Sequence, residues 1–130
     1  MAEPKNIDPE LVTCSFKCHN ILTIVGDIKI SCQMIKMKDS YYIWVGDIVD
    51  SVMNDLSLAL ISDYEKVPIS TKLMGSAIDS TSINMAARLA TKLGKPVYIS
   101  FNIKTDKLSI PAIEKKLSQE ISNSLALLEK

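Results

Sequence analysis

Histidine, cysteine, glycine and aromatic residues are all scarce in this chain, and each scarcity removes a class of protein from consideration. One histidine, one tryptophan and three cysteines in 130 residues leave little material for a metal centre or a nucleophilic relay. The cysteines, Cys14, Cys18 and Cys32, are odd in number and too few for a secreted disulfide framework, which points to a reducing compartment, cytoplasmic or nuclear. The four glycines form neither the Gly-x-Gly-x-x-Gly fingerprint nor a loop ending in Gly-Lys-Ser/Thr, so no nucleotide cradle is expected. No apolar run approaches the roughly 20 residues that span a bilayer, because Asp27, Lys29, Lys36 and Lys38 interrupt the richest region. Neither sign of charge prevails: 15 basic residues balance 15 acidic ones, with no basic stripe among aromatics. Neither nucleic acid nor a membrane is therefore expected as a partner.

What the chain does have is a large apolar fraction in short runs, 47% of its residues against 23% charged, the balance of a globular protein able to bury a core without staples. Residues 1–11 contain two prolines and no apolar core and read as a flexible amino-terminal tail, neither signal peptide nor anchor. Residues 12–130 read as a single domain.

Val12, Cys14, Phe16 and Cys18 alternate with polar residues, the period of a half-buried strand. A second alternating run over 27–38 switches phase near Gln33 to Ile35, where a bulge is expected. Lys38, Asp39 and Ser40 make a turn, and residues 41–45 complete a hairpin ended by Gly46. The run 56–61 fits strand or helix by pattern alone. Residues 67–74 read as an edge strand, since Pro68 cannot donate a ladder hydrogen bond.

From about 82 to 93 the positions Ile83, Ala86, Ala87, Ala90 and Leu93 share a helical stripe, with Ser80 or Thr81 as N-cap and Gly94 as the stop. Met85 and Leu89, four apart, form a neighbouring strip that suits contact with another surface. Residues 96–103 follow as a strand. Ile113, Leu117, Ile121, Leu125 and Leu128 then line one face of a terminal helix with Pro111 in its first turn. Mostly antiparallel strands with two main helices make an α+β domain.

The candidate chemistry is thin. Cys14 and Cys18 lie near His19, but alternation puts the histidine on the other face, and structural zinc wants four ligands; buried cysteines filling a core are the plainer reading. Cys32 and His19 could meet across strands as a nucleophile pair. Asp47, Asp50, Asp55 and Asp63 lack the glycine and distal glutamate of a calcium loop and read as a solvated acidic loop or docking surface. The segment 75–82 opens a helix, where phosphate can bind, but Asp79 repels an anion and capping explains these residues better. Trp44 is expected in the core. Ser70 and Thr71 have no base beside them. No catalytic residue, cofactor or metal ligand is assigned, and a protein-binding scaffold is the natural reading.

Two blocks carry a resemblance. Tyr42-Ile43-Trp44-Val45-Gly46, together with the stretch running from Pro68-Ile69-Ser70-Thr71 through Ala86-Ala87-Arg88-Leu89-Ala90 to Pro96-Val97-Tyr98-Ile99-Ser100-Phe101-Asn102, resembles the proteasome assembly chaperone 4 family. The resemblance implies a six-stranded antiparallel β-sandwich flanked by two main α-helices, with residues 56–61 as strand. It implies a non-enzymatic chaperone of the 20S proteasome core particle, paired as a heterodimer with proteasome assembly chaperone 3. The pair would guide early α-ring formation by stoichiometric, ATP-independent binding to proteasome α-subunits. Partner contacts are expected at Asp47, Asp50 and Asp55 in the acidic loop, at Ser76 and Asp79 in the loop before the helix, and at Met85, Arg88, Leu89 and Lys92 on the helix itself. Two other readings fit the size and composition. One is a small dimerising α/β/α scaffold in trafficking or GTPase regulation; the other is a cysteine-dependent hydrolase, which requires Cys14 or Cys32 to be exposed with a lowered pKa.

Overall fold

Alternating runs of β-formers place six strands in the chain and two amphipathic stripes place two helices. In order these are β1 (Lys17–Val25), β2 (Ile28–Lys36), β3 (Tyr41–Asp47), β4 (Leu56–Leu60), β5 (Ile69–Met74), α1 (Thr81–Leu93), β6 (Val97–Phe101) and α2 (Ile110–Leu128). The computed structural model describes residues 16–64, 67–105 and 107–128. The expected tail and the start of the expected first strand, Val12 to Cys14, lie outside the described residues. The first described strand runs from Lys17 to Val25, later than the alternation over 12–18 suggests.

The strands form one six-stranded sheet in the order β1-β2-β3-β6-β4-β5. It is mixed where an antiparallel sandwich was expected: β3 and β6 run parallel, with Tyr41 opposite Val97 and Val45 opposite Phe101. The cause is the helix between β5 and β6. A helix crossing over a sheet returns the chain to its starting end, so the next strand repeats the direction of the last. Thus β6 runs with β5, and β4, antiparallel to both, lies between them.

Both helices pack on one face of the sheet. Met85, Ala86, Leu89 and Ala90 of α1, with Ile113, Leu117, Ile121, Leu125 and Leu128 of α2, close over Ile30, Cys32, Met34, Ile43, Val45, Ala59, Val97 and Ile99. The narrow alanine stripe brings α1 close to β4 and β6, while the longer side chains of α2 reach β1. Ser80 occupies the N-cap position of α1 but makes no side-chain cap bond. Asp79 does that work, its Oδ1 accepting the Thr81 N–H at 3.1 Å. Gly94 stops the helix in a left-handed conformation at φ 68°, donating to the Ala90 carbonyl, and Pro96 follows at once. This tight exit returns the chain directly into β6.

Two local expectations change. No bulge interrupts β2, whose pairing with β1 and β3 is continuous through Gln33, Met34 and Ile35. The apparent phase switch arises because Ile35 is a genuine apolar residue on the opposite face. The irregularity lies instead between Leu56 and Ser57 of β4. Trp44 does not join the core. It stands half-buried on the face away from the helices, Nε1 donating to the Val52 carbonyl at 3.0 Å, with its ring over Gly46. A Cβ at Gly46 would sit 2.4 Å from Trp44 Cη2, so the glycine is there for space. Residues 48–54 thereby lie across the end of the sheet, held also by Asn102, whose Oδ1 accepts the Asn54 N–H at 2.7 Å and whose Nδ2 donates to the Val45 carbonyl.

Candidate interaction surfaces

Three places in this fold hold groups that do more than fill a core: a buried polar cluster, the open face of the sheet, and the seam between the helices. The polar cluster lies where β4, β5, β6 and the start of α1 meet. Lys72 is ion-paired with Asp55 and also donates to Ser82 Oγ at 3.2 Å. Ser82 in turn shares a hydrogen bond of 2.6 Å with Ser57, and Asp55 Oδ2 accepts the Phe101 N–H at 3.2 Å. The lysine beside two hydroxyls has the ingredients of a nucleophilic site. However, Ser57 is fully buried and Ser82 1% exposed, so no substrate reaches either hydroxyl. Every charge and hydroxyl here already has a partner, which is the signature of a structural network. Asp55 is therefore no part of a solvated acidic loop. The β-alternation that turns Ser57 inward brings it to the buried lysine.

The cysteine reading meets a similar obstacle. Cys32 pairs with Ile21 across β1 and β2 while His19 pairs with Met34, so thiol and imidazole share the helix-covered face. Burial pushes the Cys32 thiol up to about 12, the reverse of what a nucleophile needs. Cys18 points the other way and is exposed, against the expectation of a core residue. Native alkylation at neutral pH should accordingly label Cys18 and leave Cys32 unmodified until the chain is unfolded, as peptide mapping would show; labelling of Cys32 in the native state at the same rate as Cys18 would refute the packing described. Because the folded thiol holds its proton more tightly than the unfolded one at 9.0, its contribution to stability is intact below pH 9 and lost as pH rises toward 12.

The second place is the sheet face that carries no helix. Leu22 and Ile24 of β1, Ile35 of β2, Tyr42 and Trp44 of β3, Leu58 and Leu60 of β4, and Ile69 of β5 all alternate with core residues and so point to this side. Leu22 is 72% exposed, Ile24 61%, Ile69 54% and Leu60 40%. By the same alternation Lys29 is the one charged residue that the six strands direct to this face. The signal was available in the sequence: runs such as Tyr41 to Val45 and Leu56 to Leu60 are largely apolar at both parities, the pattern of strands covered on both faces, yet among the described residues one layer of helices covers them.

Third, α1 and α2 lie side by side and their seam is open to solvent. Arg88 pairs with Glu114 at 3.0 Å, and Lys92 Nζ donates to Ser122 Oγ at 2.6 Å. Between these links lies a cavity of about 190 Å³ lined by Met85, Arg88, Leu89, Lys92, Ser118 and Ser122. Met85 and Leu89, expected as a strip for contact with another surface, are only 3% and 7% exposed beside α2 and form the floor of the seam.

The remaining expected contact residues stand apart from one another. Asp47 Oδ1 accepts the Val49 N–H at 2.8 Å, and Asp50 is exposed in the same loop. Ser76 Oγ accepts the Ile78 N–H; with Asp79 it lines a broad open groove that also includes Lys104, Lys107 and Pro111. Lys72, Ser82 and Asn102, which fix how these pieces sit, were not among the expected residues.

Comparison with known proteins agrees with this architecture. Residues 29–103 match the family described as proteasome assembly chaperone 4. The chain is 31% identical over 104 residues to proteasome assembly chaperone 4 of Homo sapiens, spanning 79% of this chain and 83% of that protein. Its identity to the Mus musculus protein of that name is 30% over the same span. Among solved structures it superposes with a TM-score of 0.62 on a chain from the crystal structure of a chaperone complex for yeast 20S proteasome assembly. That match covers 88% of this chain and 95% of the other at 14% identity, a likeness of fold.

Proposed function

The chain belongs to the proteasome assembly chaperone 4 family, and from that premise we propose that it is a stoichiometric, ATP-independent chaperone of the 20S core particle. In this reading it forms a heterodimer with proteasome assembly chaperone 3 and, so paired, guides early α-ring formation by holding α-subunits in the cytoplasm. The observation that carries the reading is the open sheet face. A sheet bearing Leu22, Ile24, Leu58, Leu60 and Ile69 outward, with a single lysine among them, has the apolar, charge-depleted character of the centre of an obligate interface.

A second sheet packed face to face supplies the missing layer about 10 Å away and turns one exposed apolar face into half of a sandwich. The expected sandwich then belongs to the pair of chains. No acid, base or phosphate cradle is needed for such work: a surface that favours one neighbour over others orders an assembly by binding alone. The free, buried Cys32 thiol suits a reducing cytoplasm.

The test is to purify the tagged chain from its own cells and identify its companions. A second small chaperone together with α-subunits and no mature β-subunits supports the reading. Recovery of a stable monomer with no α-subunit at near-native expression overturns it.

A further inference from the structure

The open sheet face accounts for one partner and leaves the helix side of the molecule unexplained. There the charges are unevenly distributed. The two helices, Thr81–Leu93 and Ile110–Leu128, carry four basic residues, Arg88, Lys92, Lys115 and Lys116, and two acidic ones, Glu114 and Glu120, although the whole chain is neutral. Both acids are already matched within the helix layer, Glu114 by Arg88 at 3.0 Å and Glu120 by Lys116 at 3.8 Å. Lys92 and Lys115 have no carboxylate partner among the described residues. The unmatched charge on this layer is therefore positive.

Lys92, together with the Glu114-paired Arg88, borders a depression with an apolar floor. The seam of about 190 Å³ over Met85 and Leu89 has room for one large apolar side chain, since a dry cavity of ~150 Å³ accepts a benzene ring. It continues through Lys92, Ser118 and Ser122 into a shallower depression of about 550 Å³ along α2, whose lining also includes Glu120, a carboxylate that Lys116 offsets. An apolar slot with a basic rim is the anatomy of a binding hot spot, where one anchor side chain supplies affinity and flanking charges supply orientation and rate. No aromatic side chain lines the slot for base stacking, which favours a protein over a nucleic acid.

We infer that the α1/α2 seam is a second docking surface, on the opposite side of the sheet from the chaperone-pairing face, and that it takes an acidic protein surface presenting one large apolar side chain between carboxylates. Resting on the assembly reading above, this surface is where the α-subunit client docks. The chain would thus bind its sister through the apolar sheet face and its client through the basic helix face, and the two contacts would not compete.

The test uses the heterodimer carrying wild-type chain, the Lys92→Glu/Lys115→Glu double variant, or Ser118→Trp, which plugs the seam without touching charge. Two probes are titrated by fluorescence anisotropy: each purified α-subunit, and a labelled hexapeptide with Leu-Phe at its centre and two carboxylates on either side, beside the same peptide with amides in their place. At least one α-subunit should bind wild type with an affinity that falls steeply between about 50 and 500 mM salt. Each variant should weaken that binding about tenfold or more while still co-purifying with the sister chaperone. The acidic peptide should outbind its amide twin on wild type only. Equal binding of an α-subunit to wild type and both variants overturns the docking surface and leaves the assembly role standing. Selective peptide binding with no α-subunit bound supports the surface and overturns the assembly role. Failure of the peptide to distinguish the three proteins, with no α-subunit binding, overturns both.

Discussion

Lys72→Met should cost the chain about 3–5 kcal/mol of unfolding free energy, the penalty for stranding one member of a buried ion pair. Both side chains of the Lys72–Asp55 pair are 10% exposed, so the aspartate left behind has no water to turn to. In urea this is a fall in midpoint of about 1–5 M with little change of slope. The double variant Lys72→Met/Asp55→Asn should recover a good part of the loss, because asparagine carries no charge and still offers an oxygen to the Phe101 N–H. A Lys72→Met protein within about 0.5 kcal/mol of wild type would mean that the pair is solvated and the network unimportant.

The effect is large because of position more than pair strength. Asp55 precedes β4, Lys72 lies in edge strand β5, Ser82 in the first turn of α1 and Phe101 at the end of β6. A single carboxylate and a single ammonium thus join four consecutive elements of the strand-helix-strand unit. Gly75 keeps the approach open: at φ 112° it lies where a Cβ would come within 2.9 Å of Asp55 Oδ1. Among the described residues edge strand β5 has no second neighbouring strand, and this inward-turned lysine is much of what fixes it.

None of that network was legible in the sequence, whereas most of the elements were. Stripes at period 3.6 located α1 to within a residue and placed the buried face of α2 from Ile113 to Leu128, with Pro111 in its first turn, because a helix reports its buried side locally. Lys72, Asp55, Ser57 and Ser82 meet only after β6 has been inserted between β3 and β4, and pairings at that sequence distance leave no local periodicity. The strand directions show a different lesson. The succession of β5, α1 and β6 contained the rule that makes β5 and β6 parallel; the pattern reading of mostly antiparallel strands did not apply it, and the fully antiparallel sandwich came from resemblance. At the site level, alternation correctly separated His19 from Cys18, while Asp55 looked like its neighbours Asp47 and Asp50 because composition alone cannot distinguish a solvated carboxylate from a paired one. Trp44 was misplaced for a related reason: in a strand apolar at both parities, nothing in the pattern says which face the helices will cover.

That ambiguity bears directly on the proposed pairing. Leu22 and Ile24 lie in edge strand β1 and Leu60 and Ile69 in β4 and β5 at the other end of the sheet, all at least 40% exposed. Substituting either pair with glutamate leaves the folded chain close to wild-type stability, since exposed positions seldom shift it by more than about 0.5 kcal/mol. The same charges placed against a partner's apolar sheet would be desolvated without a counter-ion. We therefore expect Leu22→Glu/Ile24→Glu and Leu60→Glu/Ile69→Glu each to weaken pairing with the sister chaperone at least about 100-fold, roughly 3 kcal/mol, measured by analytical ultracentrifugation or co-expression pull-down. Client binding through the helix seam should fall only as far as it depends on the pair. If one double variant abolishes pairing and the other does not, the partner covers only that half of the sheet. Full pairing by both variants would show that the open face is not the interface, and the unpartnered apolar strands would need another cover. Under the proposed face-to-face pairing, the outward leucine and isoleucine would be a liability only until the second chain arrives.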